Sequence, residues 1–208
     1  CSLEIKDKAI TGIIGPNGSG KTTFLRLLAG LITPSNGSIL IDGIESQQID
    51  PVQLRDTIGF VSQTPILFTG SIKENLLLGN PEAKDEDIVK ACTLSGIINF
   101  INKLEKGFET ILFERGAQLS GGQRQSLSLA RTLIGNPKIV LMDEPTSAFD
   151  SAGEMSFLKN MPNFLDDKTL ILVTHKSSLL SLVDKILIIE DGLVKGYGPK
   201  EKMIRKNV

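Results

Sequence analysis

Apolar residues along this chain fall into two kinds of pattern, short continuous runs and stretches with helical spacing. The runs predict strands at residues 8–14, 37–41, 58–61, 139–142, 169–173, 185–189 and 193–195. The spaced stretches predict helices at residues 22–29, 85–95, 123–134, 151–160 and 178–183. Because strands and helices alternate, the pattern predicts an α/β fold with a mostly parallel sheet and crossover connections.

The middle of the chain is its most helical part. Ser71 and Glu74 have the spacing of a capping box, which marks the start of a helix. The helical character continues to about residue 134 and separates two groups of predicted strands. We therefore predict one domain over residues 1–208, with a helical subdomain at about residues 71–134 inserted in the α/β core.

Composition and charge exclude several classes of protein. The chain has 208 residues, 40% of them hydrophobic, and a net charge of −1, so it carries no sign of a nucleic-acid partner. No apolar stretch approaches the ~18 residues that would span a bilayer. Cys1 and Cys92 form no disulfide framework, which suits a reducing compartment. Since the chain begins at Cys1, we expect it to be part of a longer protein, with any membrane segment elsewhere.

A glycine-rich segment joins the first predicted strand to the first helix and consists of Gly15, Pro16, Asn17, Gly18, Ser19, Gly20, Lys21 and Thr22. It fits G-x-x-x-x-G-K-[ST], a loop whose backbone N–H groups surround the phosphates of a nucleotide. Lys21 is expected to reach the β- and γ-phosphates, and Thr22 to offer a hydroxyl to Mg²⁺. The plain alternative, an ordinary strand–helix turn, is disfavoured because the full spacing and both flanking elements are present.

Two acidic residues end the predicted strand at 139–142. Asp143 is placed by the strand to approach a metal ion, and Glu144 to polarise a water molecule that attacks the γ-phosphorus. An apolar strand that ends in two acids is often only a strand with a solvated end. Downstream of a phosphate loop, the catalytic interpretation is the stronger one.

A second glycine-containing segment, with the residues Leu119, Ser120, Gly121, Gly122 and Gln123, precedes the predicted helix at 123–134. Its hydroxyl and exposed N–H groups at a helix start indicate another anion site. Taken alone, the segment is also compatible with a simple helix N-cap. His175 and Gln63 each follow a predicted strand, and either one alone would be an incidental surface residue.

Together these motifs, in this order over about 160 residues, resemble the ATP-binding cassette (ABC) ATPases. The resemblance implies a P-loop NTPase (RecA-like) core, an inserted α-helical subdomain, and a small β-rich N-terminal part that is truncated here. It implies ATP and Mg²⁺ as cofactors. The implied phosphate-binding set is the loop from Gly15 to Thr22 together with Thr23.

The resemblance also assigns roles to single residues. Glu144 corresponds to the catalytic base, with His175 and Lys21 as further catalytic residues. The implied Mg²⁺ ligands are Thr22, Gln63 and Asp143. The segment 119–123 corresponds to the family's signature sequence, which caps ATP held by a second cassette in a head-to-tail dimer. The loop that crosses to that partner corresponds to Ser147, Ala148 and Asp150.

The expected biology follows from the same resemblance. Segments 69–75 and 114–116 resemble exporters, and 172–180 resembles type I protein-secretion ATPases. We therefore expect an exporter ATPase domain, fused to or associated with a transmembrane domain at the cytoplasmic face of the inner membrane. A periplasmic adaptor and an outer-membrane conduit would be further partners. The alternatives are a soluble non-transport ABC ATPase and a binding-only regulatory cassette.

Three features depart from the family pattern. No aromatic residue precedes Gly15 to stack on adenine, so we expect that platform to lie outside this chain. Phe149 replaces a more usual leucine, which should affect packing only. Phe113 lies where many exporters have glycine, which slightly weakens the assignment of this chain to the exporter subgroup.

Overall fold

The computed structural model describes residues 2–204 and divides them into two units. The first unit contains residues 2–60, 138–144 and 167–204, and the second contains residues 61–137 and 145–166. Across residues 2–204 there are ten strands: β1 (Ile10–Ile14), β2 (Leu40–Ile41), β3 (Ile44–Glu45), β4 (Ile58–Val61), β5 (Gly70–Ser71), β6 (Ile111–Leu112), β7 (Ile139–Asp143), β8 (Thr169–Val173), β9 (Lys185–Glu190) and β10 (Leu193–Pro199).

The same residues contain eight α-helices: α1 (Lys21–Leu28), α2 (Pro51–Thr57), α3 (Ile72–Leu77), α4 (Asp85–Leu94), α5 (Ile98–Ile101), α6 (Gly121–Ile134), α7 (Ser151–Leu165) and α8 (Lys200–Ile204). Short 3₁₀ helices occupy Gly107–Glu109 and Leu179–Leu182. No helix within residues 2–204 combines the length and the apolar character needed to cross a membrane.

A six-stranded sheet in the order β10-β9-β1-β8-β7-β4 forms the centre of the first unit. β1 pairs in parallel with β8 and β9, β7 pairs in parallel with β8, and β10 returns antiparallel to β9. The predicted α/β fold with a mostly parallel sheet is therefore confirmed. Its core includes the fully buried Ile13, Leu25, Leu141 and Leu187, and burying each such side chain stabilises the fold by ~1.5–3 kcal/mol.

The parallel arrangement decides where the polar residues meet. β1, β7 and β8 run in the same direction, so their carboxyl ends lie along one edge of the sheet. The segment after β1 begins at Gly15, β7 ends at Asp143, and His175 follows β8 by two residues. Most of the residues predicted to bind phosphate or to act in catalysis therefore lie along one edge of this sheet.

Helices make up most of the second unit, where α6 packs against α3 and α4, and α4 also contacts α7. The unit contains the predicted helical segment 71–134 and, in addition, α7. The capping box is present as predicted: Ser71 Oγ accepts from the Glu74 N–H, and Glu74 Oε2 accepts from the Ser71 N–H. Leu76, Leu129 and Met161 are completely buried in this unit.

Some element boundaries differ from the prediction. α7 continues beyond residue 160 to Leu165, although Pro162 lies inside it. Met161 and Leu165 are buried, and their packing offsets the ~3 kcal/mol that an internal proline costs. α2 was not predicted, although Asp50 followed by Pro51 is a helix-start signal: the Asp50 side chain accepts from the N–H groups of Val52 and Gln53.

Asp42-Gly43, a dipeptide typical of hairpin turns, joins β2 to β3 in a short hairpin. β2 and β3 have two residues each, and both turn residues have positive φ, as a two-residue hairpin turn requires. The predicted helix at 178–183 is instead the 3₁₀ helix Leu179–Leu182.

Candidate functional site

The glycine-rich loop of the first unit adopts a backbone that only glycine tolerates at its critical position. Gly15 has φ 155°, and a Cβ atom there would lie 1.9 Å from the Ile189 carbonyl oxygen. Gly18 has φ 78° and faces open space, because, apart from Gly18 and its two chain neighbours, no heavy atom of residues 2–204 would lie within 4 Å of a Cβ atom placed there. The loop is therefore packed on the sheet at its start and open at its centre, which leaves the backbone there accessible to a ligand.

The polar groups of this loop suit an anion. Gly20 occupies the N-cap of α1 in a left-handed conformation and has no side chain to cap the helix, which leaves the first-turn N–H groups to other partners. The Ser19 hydroxyl is buried and finds no hydrogen-bond partner in the described part of the chain. Lys21 is 7% exposed, and its Nζ donates to the carbonyl oxygens of Gly15 and Pro16 at 2.8 and 2.7 Å. An ammonium group so placed beside backbone N–H donors matches a phosphate.

Thr22 and Asp143 meet beside the loop. Thr22 Oγ1 donates to Asp143 Oδ2 at 2.7 Å, and Asp143 is only 2% exposed. A hydroxyl and a carboxylate are the oxygen ligands that Mg²⁺ accepts, usually completed by water and by phosphate oxygens. Within residues 2–204 no cluster of three His, Cys, Asp or Glu side chains has the arrangement of a metal site. The residues therefore fit Mg²⁺ that arrives with a phosphate, and not a metal held by protein ligands alone.

Glu144 is held in an unusual conformation at the end of β7. Its φ is 50°, in the left-handed region, and its N–H donates to the Val173 carbonyl at 2.9 Å. The carboxylate Oε1 lies 3.6 Å from His175 Nε2. Burial raises the pKa of Glu144 above its usual range; His175 and Lys21 oppose this shift, while the Asp143 charge adds to it. A raised pKa makes the carboxylate a stronger base at neutral pH.

The signature segment lies in the second unit and satisfies its own polar groups. Ser120 is the N-cap of α6: its Oγ accepts from the Gln123 N–H at 3.2 Å, and Gln123 Oε1 accepts from the Ser120 N–H at 2.8 Å. A simple helix N-cap was one of the two interpretations that the sequence allowed for this segment, and the structure contains that N-cap. Leu119 is buried, and Ser120 is exposed.

The predicted crossing loop lies against the start of α6 within the same unit. A Cβ atom on Gly122 would lie 2.8 Å from the Ala148 carbonyl oxygen, and one on Gly121 would lie 3.4 Å from the Ala148 Cβ. Asp150 is the N-cap of α7 and accepts from the Gly153 N–H at 2.7 Å. The ring of Phe149 packs edge-on against Phe157, with centroids 6.4 Å apart, which agrees with a packing role for this phenylalanine.

Sequence reasoning missed Gln125. This residue is 1% exposed, its Nε2 donates to Ser147 Oγ at 3.2 Å, and its Oε1 accepts from the Ala148 N–H at 2.8 Å. A glutamine at a core-facing position of α6 was the available signal, because a buried amide needs polar partners.

The predicted site residues thus fall into two groups, one in each unit. The first unit brings together the phosphate loop, Thr22, Asp143, Glu144 and His175. The second unit brings together the signature segment and the loop of Ser147, Ala148 and Asp150. Gln63 lies in the second unit, exposed in a bend after β4, and its role as a Mg²⁺ ligand stays a prediction.

The family model for the ABC transporter matches residues 1–147, which include the phosphate loop, the signature segment and the acidic pair. The chain belongs to the ABC transporter family. The resemblance seen in the sequence motifs is therefore confirmed, and with it the P-loop NTPase fold class.

Individual relatives of this chain carry the names of translocation and transporter proteins. It is 40% identical over 206 residues to the leukotoxin translocation ATP-binding protein LktB of Mannheimia glucosida, covering 99% of this chain and 29% of that protein. It is 37% identical over 203 residues to ABC transporter B family member 1 of Dictyostelium discoideum, covering 98% of this chain and 22% of that protein. The cassette thus spans less than a third of the length of these relatives.

A solved structure shows the same fold. A bacterial Atm1-family ABC exporter with ATP bound superposes with a TM-score of 0.93 at 34% identity, covering 99% of this chain and 36% of that chain. The similarity extends over both units of the cassette.

Proposed function

We propose that this chain is the ATP-hydrolysing cassette of an ABC exporter. The proposal rests on one arrangement at a single edge of the sheet. There the Thr22–Asp143 hydrogen bond and the Glu144–His175 contact lie beside the phosphate loop, whose lysine is buried. Each pair has a separate task in phosphoryl transfer. The buried Ser19 hydroxyl, which has no partner in residues 2–204, adds a polar group that a bound phosphate would satisfy.

The chemistry of these residues is positioning and charge stabilisation. The loop N–H groups and Lys21 hold the phosphates, and Lys21 exchanges its two carbonyl acceptors for phosphate oxygens. Thr22 and Asp143 would hold Mg²⁺, which when bound would supply neutralisation of phosphate charge, and Gln63 stays a predicted further ligand. The Glu144 carboxylate polarises the attacking water and accepts its proton, while His175 orients that water toward the γ-phosphate.

The second unit supplies the other half of the site to a second copy. Ser120 and its neighbours cap the ATP that is held by the phosphate loop of a partner cassette, in a head-to-tail dimer with two nucleotides between the subunits. The exposed loop of Ser147, Ala148 and Asp150 crosses to that partner. The proposal is supported by the way the signature segment is built, because its capping box is complete within one chain and Ser120 remains exposed.

The whole protein is proposed to be a membrane exporter. The cassette is fused to or associated with a transmembrane domain, at the cytoplasmic face of the inner membrane, and movement reaches that domain through the Gln63 region and through Glu114 and Arg115. The translocation named for the LktB relatives supports type I secretion of protein or peptide substrates. A periplasmic adaptor and an outer-membrane conduit would then complete the assembly, with no nucleic acid involved.

ATP hydrolysis measured against protein concentration tests this proposal. We expect the rate per molecule to rise with concentration, because each site needs two chains, and Glu144→Gln to be inactive and to form a stable dimer with Mg-ATP. Nucleotide binding without hydrolysis by the unmodified chain would instead support the binding-only cassette. A rate per molecule that is independent of concentration, with no dimer in Glu144→Gln, would contradict the two-chain site.

A further inference from the structure

Gln125 joins two segments that are far apart in sequence but are proposed to act on the same partner. Its side-chain amide lies 22 residues from Ser147 and 23 residues from Ala148 along the chain, and bonds to both. The amide is buried at 1% exposure, whereas Ser147 and Ala148 are exposed. A fixed internal group therefore holds an exposed loop.

The contact uses both ends of the amide. Oε1 accepts from the backbone N–H of Ala148 at 2.8 Å, which fixes the backbone of the loop, and Nε2 contacts Ser147 Oγ at 3.2 Å, which fixes a side chain. Neither leucine nor methionine offers these two bonds. If this position of α6 needed only to fill the core, an apolar residue would stabilise the helix equally well. A buried amide adds no stability unless its polar atoms form hydrogen bonds.

A second, independent contact fixes the same loop from the signature side. Gly122 comes so close to the loop that a Cβ atom there would lie 2.8 Å from the Ala148 carbonyl oxygen. Ala148 is therefore held between the amide of Gln125 and the backbone of Gly122. Both holding residues lie in the first two turns of α6, directly after Ser120.

We infer that Gln125 is a positioning residue that locks the loop of Ser147, Ala148 and Asp150 to the signature segment, so that both reach the partner cassette as one rigid piece. The inference rests on the proposed function, because it concerns the same two-chain site. Gln125 touches no nucleotide in this scheme. It acts only through the loop that it holds.

The test compares four substitutions in the chain that carries Glu144→Gln, where the Mg-ATP dimer is stable. Gln125→Leu removes both hydrogen bonds. Gln125→Glu, with its buried carboxyl in the neutral form that burial favours, keeps an acceptor for the Ala148 N–H and an O–H for Ser147 Oγ, so it is the rescue variant. Ser128→Ala and Leu133→Ala change buried residues further along α6 and control for effects of a weakened helix.

Three quantities are measured: hydrogen exchange at the Ala148 amide in the monomer, affinity of the monomer for ATP, and the dissociation constant of the dimer with Mg-ATP. For Gln125→Leu we expect exchange at Ala148 to rise at least ~tenfold and the dimer to weaken ~tenfold, since one hydrogen bond of ordinary net strength is worth about that factor. ATP affinity of the monomer should change less than ~twofold. Gln125→Glu should recover most of the dimer affinity.

The controls distinguish positioning from a general loss of stability. Leu133→Ala should lower the thermal midpoint at least as much as Gln125→Leu while leaving the dimer constant within ~twofold, because it lies outside the loop contact. The inference is overturned if Gln125→Leu forms the dimer as tightly as its parent, or if Leu133→Ala weakens the dimer equally. If the parent itself forms no dimer with Mg-ATP, the proposed function fails and this inference fails with it.

Discussion

The phosphate loop and the signature segment are both glycine-containing starts of a helix, yet they satisfy their polar groups in opposite ways. In the phosphate loop, Gly20 gives α1 no side-chain cap and the Ser19 hydroxyl has no partner within residues 2–204. In the signature segment, Ser120 and Gln123 cap each other completely. The first segment is incomplete without a ligand, whereas the second is a finished helix start with an exposed serine.

This difference indicates how the two segments divide the work. A loop with unsatisfied polar groups gains free energy when an anion fills it, because such groups are costly to bury. A self-capped segment has no such need, so its proposed contact with a nucleotide depends on what a second cassette brings to it. Substitutions in the two regions are therefore expected to separate ATP binding, hydrolysis and helix stability.

The largest effect is expected from Glu144→Gln. This substitution removes the proposed base beside the phosphate loop and leaves the phosphate-binding groups of the loop intact. The maximal hydrolysis rate should fall by ~10²–10⁴, the usual contribution of a general base. ATP affinity of the monomer should be unchanged. Steady-state phosphate release and nucleotide titration measure the two quantities. Glu86→Gln, an exposed residue of α4, is the matched control, and comparable rate losses in both variants would contradict the assignment.

The next largest effect is on nucleotide binding. Lys21→Ala removes the ammonium that the loop presents, and the affinity of the monomer for ATP should fall ~10–100-fold, as for the loss of charge-assisted hydrogen bonds. Ser120→Ala should leave that affinity unchanged, because the signature segment is proposed to contact only a partner's nucleotide. Titration with a fluorescent ATP analogue at low protein concentration measures both. Equal losses in the two variants would mean that one chain binds its nucleotide with both segments.

The effects of these two substitutions on the free energy of unfolding should have the reverse order. Ser120→Ala removes the side-chain cap of α6 and should cost ~1 kcal/mol of unfolding free energy, or ~2–4 °C in thermal midpoint for a domain of this size. Lys21→Ala leaves every helix cap in place, so its midpoint in the absence of nucleotide should shift by less than half as much. Calorimetry without ATP compares the two. A larger loss in Lys21→Ala would show that its two carbonyl contacts stabilise the fold itself.

The smallest effect concerns pH. Burial raises the pKa of Glu144 in the folded chain, so ionisation of this carboxyl lowers the free energy of unfolding. The loss is present at neutral pH and disappears as the pH falls below the pKa of the carboxyl in the unfolded chain. Glu144→Gln should therefore melt at a higher temperature than the unmodified chain at neutral pH, and the gap in thermal midpoint should narrow on acidification. A gap that widens on acidification would mean that the carboxylate is stabilised by His175 and Lys21 more than it is destabilised by burial.

Local sequence spacing was sufficient to predict the first region. The phosphate loop, Asp143 and Glu144 each stand at the end of a recognisable strand, and parallel pairing then brings them to one edge. The capping box at Ser71 was equally local.

Contacts between distant parts of the chain were not predictable in the same way. Gln125 bonds to residues more than twenty positions away, and spacing along the chain carries no information about such a pair. α7 passes Pro162 because Met161 and Leu165 are buried, and that burial depends on the helices packed around them. Local propensity therefore placed the end of this helix too early.

Mixing two inactive variants tests the two-chain site most directly. Lys21→Ala has a defective phosphate loop and an intact signature segment, and Ser120→Arg has the opposite combination. Each alone should hydrolyse ATP at a small fraction of the normal rate. In a mixed dimer, the intact loop of one chain faces the intact signature segment of the other, so hydrolysis should reappear and be maximal near equal proportions. A mixture whose activity is only the sum of its two components, at every ratio and concentration, would contradict the account.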